Sequence, residues 1–360
     1  MSPKEKRSEN RGSLRPAINA SGVIIHTGLG RAVLCERAVE ALMDVARGHS
    51  TLEIDVATGK RGSRQDHVAS LLTELTGAEA ALVVNNNAGA VFLAVNSLAR
   101  DREVVISRGQ LVEIGGSFRM PDIVRYAGAR LVEVGTTNCT RIADYANAIT
   151  GDTGLILRCH PSNFRIAGVS EETPIEELVA LGRAREVPVL DDVGSGALVE
   201  LGMVQGTITS PAGPDVGLSD ASLEHEPTVQ ESVRTGADLV TFSGDKLLGA
   251  SQAGVIVGRA DLVALCRSNP LARALRIDKL TLAALEATLR VYRDGDPIND
   301  IPVLASIHRP LSDIERQAHK LARAINALAL PDLTASVVSV ESQTGGGSLP
   351  GRNLESRGVA

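Results

Sequence analysis

The strongest constraint on the fold is an alternation. Seven short apolar runs, "AALVV" (80–84), "EVVIS" (103–107), "ARLVEVG" (129–135), "TGLILRC" (153–159), "VPVLDD" (187–192), "DLVTFS" (238–243) and "AGVIVG" (253–258), punctuate the chain. Between them lie segments of helix-period apolar spacing such as "AGAVFLAVNSLA" and "IEELVALGRA". Apolar runs of this length read as strands buried on both faces, and strands alternating with helices predict a mostly parallel sheet covered by helices. The fold class is therefore α/β, built on one seven-stranded sheet. The link between the last two runs is too short for a helical crossover, so that pair is expected to be antiparallel.

From about residue 260 the pattern changes to long helices, "TLAALEATLRVY" and "DIERQAHKLARAINALA", followed by "TASVVSV". This reads as the start of a small α+β domain. The chain then ends in "GGGSLPGRNLESRGVA", glycine-rich and without a helix pattern, so the small domain is expected to be truncated. The expected organisation is a polar arm (1–16), a large domain (17–265) and a small carboxy-terminal domain (266–360). Residues 201–224 mix Gly, Pro, Ser and Asp without periodicity and read as a long loop.

A chain of 360 residues buries roughly three quarters of its unfolded surface and needs no disulfide staples. Its cysteines, Cys35, Cys139, Cys159 and Cys266, are far apart and form no C-x-x-C pair. They read as reduced thiols, with no metal site expected. The amino-terminal stretch has no apolar core of signal-peptide type, and no later run has the length of a membrane span, so the expected compartment is the cytoplasm. A net charge of −6 argues against a globally basic surface for nucleic acid, leaving only local patches.

The chemistry starts from "SGDKLLGASQAG" (243–254), which puts Lys246 among small residues directly after a buried strand. A lysine so placed can condense with an aldehyde cofactor, of which pyridoxal phosphate is the usual one. Such a cofactor needs an acid at its pyridinium nitrogen, and "VLDDVGSG" offers Asp192 at a strand end, with Asp191 beside it. It also needs a phosphate cradle, which a helix N-terminus supplies through unpaired backbone N–H groups. "VVNNNAGAV" places Asn85, Asn86, Asn87 and Ala88 where a strand passes into a helix, and Ser243 adds a hydroxyl. Each piece alone is commonplace, but phosphate loop, aspartate and lysine in that order, each at a strand's carboxyl end, mark where open α/β sheets bind ligands.

The motifs "INASGVIIHTGLGRA", "TLEIDVATGKRGSR", "TGAEAALVVNNNAGAV", "SRGQLVEIGGSFRMPDI", "LVEVGTTN", "DDVGSGAL", "TFSGDKLLGASQAGVIVG" and "LARALRIDKLTLAALEATLR" occur in this order. Together they resemble the bacterial selenocysteine synthase family, the L-seryl-tRNA(Sec) selenium transferases, over residues 17 to 350. The resemblance implies a fold-type-I pyridoxal phosphate enzyme that assembles as a homodimer or larger homo-oligomer. It also implies conversion of seryl-tRNA(Sec) to selenocysteinyl-tRNA(Sec) with selenophosphate, through a dehydroalanyl species. It places the cofactor lysine at Lys246, the preceding aspartate at Asp245 and the pyridinium partner at Asp192. Arg31, Arg273 and Arg276 fall on the arginines for the anionic selenium donor, and Asn163 on another active-site position. His26, His160, Arg61 and Arg64 lie in shared motifs.

The chain departs from the family pattern at Gly28 (usually Asn), Cys139 (usually Arg) and Gln110 (usually Glu). Only about sixteen residues precede "INASG", where the family carries a tRNA-recognising domain, and residues 201–224 are longer than the family's equivalent. Two other readings therefore stay open at this stage: a related lyase or transferase acting on a small amino-acid-like substrate, and an inactive chain with an assembly role. Aromatic residues are only 2% of the chain, which makes Arg108 a candidate to stack over the cofactor ring in place of an aromatic side chain.

Overall fold

The computed structural model describes residues 12–201 and 226–360, apart from residues 117, 165 and 167. The charged start of the arm and the loop expected at 201–224, Leu201 apart, lie outside the described residues. The first strand is β1 (Val23–Ile25), and β2 (Ala80–Val84), β3 (Glu103–Ser107), β4 (Arg130–Val134), β5 (Thr153–Cys159), β6 (Val189–Gly194), β7 (Leu239–Ser243) and β8 (Gly254–Gly258) follow. Strands β2 to β8 form one seven-stranded sheet in the order β2-β8-β7-β6-β5-β3-β4. Every pairing is parallel except those of β8, which runs antiparallel to both β2 and β7. The sheet and its one reversed strand thus match the sequence reading.

Alternate residues of each strand feed two cores. Val83, Val105, Ile156, Val189, Val240 and Val255 pack on one face against helices that supply Leu71, Leu178 and Leu285. Leu82, Val104, Leu155, Leu190, Leu239 and Ile256 pack on the other, against Val91, Leu93 and Val95 of helix α1 (Asn87–Ala99). Burial on both faces is why the strand runs are apolar without alternation. Helix α2 (Ile175–Arg185) forms where its spacing predicts, as do α3 (Lys279–Asp294) and α4 (Leu311–Asn326).

The end of the chain differs from the expectation. The glycine-rich tail contains a long strand, β10 (Ser348–Val359), which makes an antiparallel hairpin with β9 (Val337–Gly345). Strand β1 adds to the same sheet by pairing parallel with β9, Val23 opposite Gln343 and Ile25 opposite Gly345. Two chain regions far apart in sequence therefore share one three-stranded sheet. Among the described residues no helix is long and apolar enough to cross a membrane, and no group of His, Cys, Asp or Glu could hold a metal ion.

Candidate active site

Sheet topology gathers the expected residues at one edge. Strands β2, β6 and β7 end there, and β8, being reversed, begins there. Strand β2 hands over to helix α1 at Asn86, whose side chain caps the helix by accepting from the Gly89 N–H at 2.8 Å. Its carbonyl takes the Ala90 N–H, so the first amides, those of Asn87 and Ala88, sit outside the helix ladder, where an anion can be bound. Gly254 allows β8 to approach this turn, since a Cβ there would overlap the Asn86 carbonyl. Ser243, buried at the end of β7, lies opposite Gly254 in the register.

The pair Asp191 and Asp192 separates by strand alternation. Asp191 is fully buried, taking Arg158 Nη1 at 2.9 Å and the Ser232 hydroxyl at 2.6 Å. Asp192 turns the other way and accepts from Asn87 Nδ2 at 2.8 Å and Thr241 Oγ1 at 2.9 Å. Burial pushes the Asp192 carboxyl above its ordinary value, opposed by those two hydrogen bonds and by the Lys246 charge. Asn87, expected in the phosphate cradle, thus commits its amide nitrogen to Asp192. Its Oδ1 is buried with no partner in the structure. Thr241 was not anticipated, although a hydroxyl inside the apolar run "LVTFS" was the available signal.

Lys246 is only 6% exposed. Burial lowers its ammonium below the ordinary value against the pull of Asp192, and the positive charge of Arg31 lowers it further. Glycine flanks the amine on two sides: a Cβ on Gly194 would lie 3.9 Å from Nζ, and one on Gly347 would lie 3.4 Å away. Asp245 points to Arg31, whose Nη1 reaches both carboxylate oxygens at 3.0 and 3.2 Å. Arg31 adopts a left-handed backbone (φ 63°), which a side-chain-bearing residue rarely takes unless its surroundings impose it. The Ala32 N–H bonding to the Asp245 carbonyl is one such restraint.

The other arginines arrive from a different element. The Leu275 carbonyl accepts from the Asn85 N–H, and Arg276 bridges Val84, so this segment is laced to the phosphate turn. Arg273 and Arg276 are exposed there, and among the described residues neither guanidinium has a hydrogen-bonded or ionic partner. Arg64 stabilises the same segment by donating to the Ile277 carbonyl, and with Arg61 it pairs with Glu53. Both arginines are thus paired within this region.

Most other candidates have partners of their own. Asn163 is exposed and gives its amide to the Glu113 carbonyl at 2.7 Å. Arg108 donates to the Gly135 carbonyl and to Glu133, so its guanidinium is turned toward the end of β4 rather than over a ring at the site. Gln110 is buried between Glu172 and the Cys159 N–H. His160 follows Cys159 at the end of β5, its backbone N–H on the Asp192 carbonyl. His26 has a buried Nδ1 without a partner. All four cysteines are free thiols, and burial drives those of Cys159 and Cys266 upward.

These residues fit pyridoxal phosphate. A buried lysine, an aspartate pinned by two donors, an unpartnered buried amide oxygen and a glycine-lined helix N-terminus at the carboxyl ends of a parallel sheet define a fold-type-I pyridoxal phosphate enzyme. The solved D-glucosaminate-6-phosphate ammonia-lyase superposes with a TM-score of 0.64 at 19% identity, covering 94% of this chain and 78% of its own. An aspartate aminotransferase of Thermus thermophilus gives 0.51 at 16% identity, over 94% and 81%. The L-seryl-tRNA selenium transferase family profile matches residues 17–360, and the chain belongs to that family. The L-seryl-tRNA(Sec) selenium transferase of Caldanaerobacter subterraneus is 49% identical over 347 residues, which is 96% of this chain and 71% of the relative. That of Moorella thermoacetica is 51% identical over 347 residues, 96% and 70%.

Proposed function

We propose that the chain converts L-seryl-tRNA(Sec) to L-selenocysteinyl-tRNA(Sec) with selenophosphate, using pyridoxal phosphate held at Lys246. The observation that carries this reading is the buried lysine beside a pinned Asp192, in a chain about half identical to L-seryl-tRNA(Sec) selenium transferases along nearly its whole length. When bound, pyridoxal phosphate supplies an aldehyde for the lysine and a protonated ring that draws electrons from the carbon bearing the substrate amine. Asp192 holds the proton at the ring nitrogen, and Asn87 and Thr241 hold Asp192. The free amides of Asn87 and Ala88, with the Ser243 hydroxyl, take the phosphate.

Lys246, with its ammonium lowered by burial, offers a neutral amine at lower pH than an ordinary lysine. Its amine would serve as the base that removes the proton from the seryl α-carbon. Arg31, Arg273 and Arg276 place permanent positive charge where a multiply charged donor must approach an anionic cofactor, and their planar forks suit a phosphorus oxyanion. Asn163 braces the rim through Glu113. We read residues 17–265 as the cofactor-binding domain and 266–360 as the small domain, with assembly as a homodimer or larger homo-oligomer.

One set of measurements tests the reading. Borohydride reduction of the cofactor-loaded chain followed by peptide mapping tags Lys246, and selenium from selenophosphate appears on seryl-tRNA. Arg273→Ala or Arg276→Ala lowers that transfer on the order of tenfold or more with the cofactor spectrum intact, and lysine replacements recover only part of the loss. A tag on another lysine ends the cofactor assignment. Spectral change with free serine, and none with seryl-tRNA, would replace this function by that of a small-molecule lyase.

A further inference from the structure

The turn joining β9 to β10 is three consecutive glycines, Gly345, Gly346 and Gly347, all in the left-handed region with φ of 71°, 62° and 74°. Gly345 and Gly346 are required by close approaches, and Gly347 borders one. A Cβ on Gly345 would overlap Val23, and one on Gly346 would overlap Ile25. A Cβ on Gly347 would lie 3.1 Å from the Ser162 hydroxyl and 3.4 Å from Lys246 Nζ. The flanking Thr344, Ser348 and Leu349 are all buried, and Leu349 is itself left-handed (φ 49°). Gly346 and Gly347 close the Gly345–Ser348 pair of the hairpin with positive φ, which glycine takes freely, whereas the left-handed backbone of Leu349 must be held by its surroundings.

Glu226 holds the Leu349 backbone. It is a carboxylate only 5% exposed, and its Oε2 accepts the buried Leu349 N–H at 2.8 Å. It also lies close enough for its charge to act on Lys246.

We propose that Glu226 is a positioning residue of the lysine site: by holding the Leu349 amide it sets the triglycine turn as a roof over Lys246, leaving the amine open toward Asp192. The turn excludes bulk on one side of Nζ, and the absent side chain of Gly347 leaves just enough space for the nitrogen to turn. An incoming amine must then approach along the sheet edge, past the arginines. This deepens the proposed function and rests on Lys246 being the cofactor lysine.

The test uses the full chain loaded with cofactor, with hydrogen exchange at the Leu349 amide as the first readout. Glu226→Ala raises that exchange on the order of ten- to hundredfold, whereas Glu226→Gln, which keeps an oxygen acceptor, leaves it near the parental rate. The second readout compares how fast hydroxylamine and the bulkier O-benzylhydroxylamine displace Lys246, followed by cofactor absorbance. The parent favours the small probe, and Glu226→Ala narrows the difference. Gly347→Ala slows both probes while Leu349 stays protected. A third readout separates charge from structure: the pH midpoint of lysine displacement falls in Glu226→Gln, because the lost negative charge no longer favours the ammonium. Unchanged Leu349 exchange in Glu226→Ala, or parental probe rates in Gly347→Ala, overturns the proposal. Should the alanine variant fail to fold, the glutamine and Gly347 variants decide it. The exchange readout does not depend on what Lys246 carries, so it can fail while the borohydride tag succeeds, and the reverse.

Discussion

Asp191 and Asp192 are adjacent in one strand and have opposite environments. The first neutralises Arg158 inside the protein, and the second keeps one face toward the site. Nothing in "LDDV" tells them apart by composition. The strand's period of two does so once β6 is placed in the sheet. Asp192→Ala is expected to loosen the cofactor and slow the reaction by orders of magnitude, and Thr241→Val, which removes one hydrogen bond at nearly constant shape, to weaken cofactor retention about tenfold. Equilibrium dialysis against pyridoxal phosphate measures both. The pH dependence follows from sign. The Asp192 charge raises the Lys246 value against burial, so Asp192→Asn lowers it further and moves the pH midpoint of lysine reactivity down. A midpoint that stays put or rises shows that Asp192 does not act on the lysine.

At the scale of elements, the start of α3 decides where Arg273 and Arg276 sit. Asp278 caps that helix, accepting from the Leu280 and Thr281 amides at 2.8 and 3.1 Å and from the Thr281 hydroxyl at 2.6 Å. Against the upward push of burial, these bonds hold its carboxyl below the ordinary value. The cap's stabilisation is therefore complete above the unfolded carboxyl range and is lost as pH falls through the lower folded value. Asp278→Ala is expected to cost about 1 kcal/mol at neutral pH and almost nothing in strong acid. Thermal unfolding at the two pH values checks it, and an equal loss at both would remove the charge from the explanation. The seven central strands were legible because burial on both faces leaves unbroken apolar runs. Strand β10 was not, since "GGGSLPGRNLESRG" is poor in strand-forming residues and is held by its pairing with β9 rather than by propensity. The positions of Lys246, Asp192 and the asparagine turn at strand ends were legible from the apolar runs before them. Glu226 and Gly347 were not, because their roles depend on a contact between segments far apart in the chain.

Over the whole molecule, the lysine site is completed by a third core. Ile25 of β1, Leu247 beside the lysine, Ala284 of α3, Ile301 and Leu349 form one buried cluster. Ile25 has no solvent exposure, and its strand pairs with β9 at the triglycine turn. Ile25→Ala is expected to cost about 2–5 kcal/mol of stability by opening a cavity in this cluster. Calorimetry with simultaneous cofactor absorbance should show both a lower unfolding temperature and earlier cofactor release. Release at the parental temperature would mean that the cluster does not support the lysine. The same shared sheet constrains synthesis. A strand near residue 23 must wait for its partner near residue 343, while the seven-stranded sheet draws only on residues up to 258. Contacts so distant in sequence are slow to close, and domains form in the order they leave the ribosome. A nascent chain would therefore present its central sheet with Lys246 uncovered, and would acquire a finished site only after the β9–β10 hairpin emerged. Competence to react would in this way wait on a hairpin made more than three hundred residues after the strand it joins.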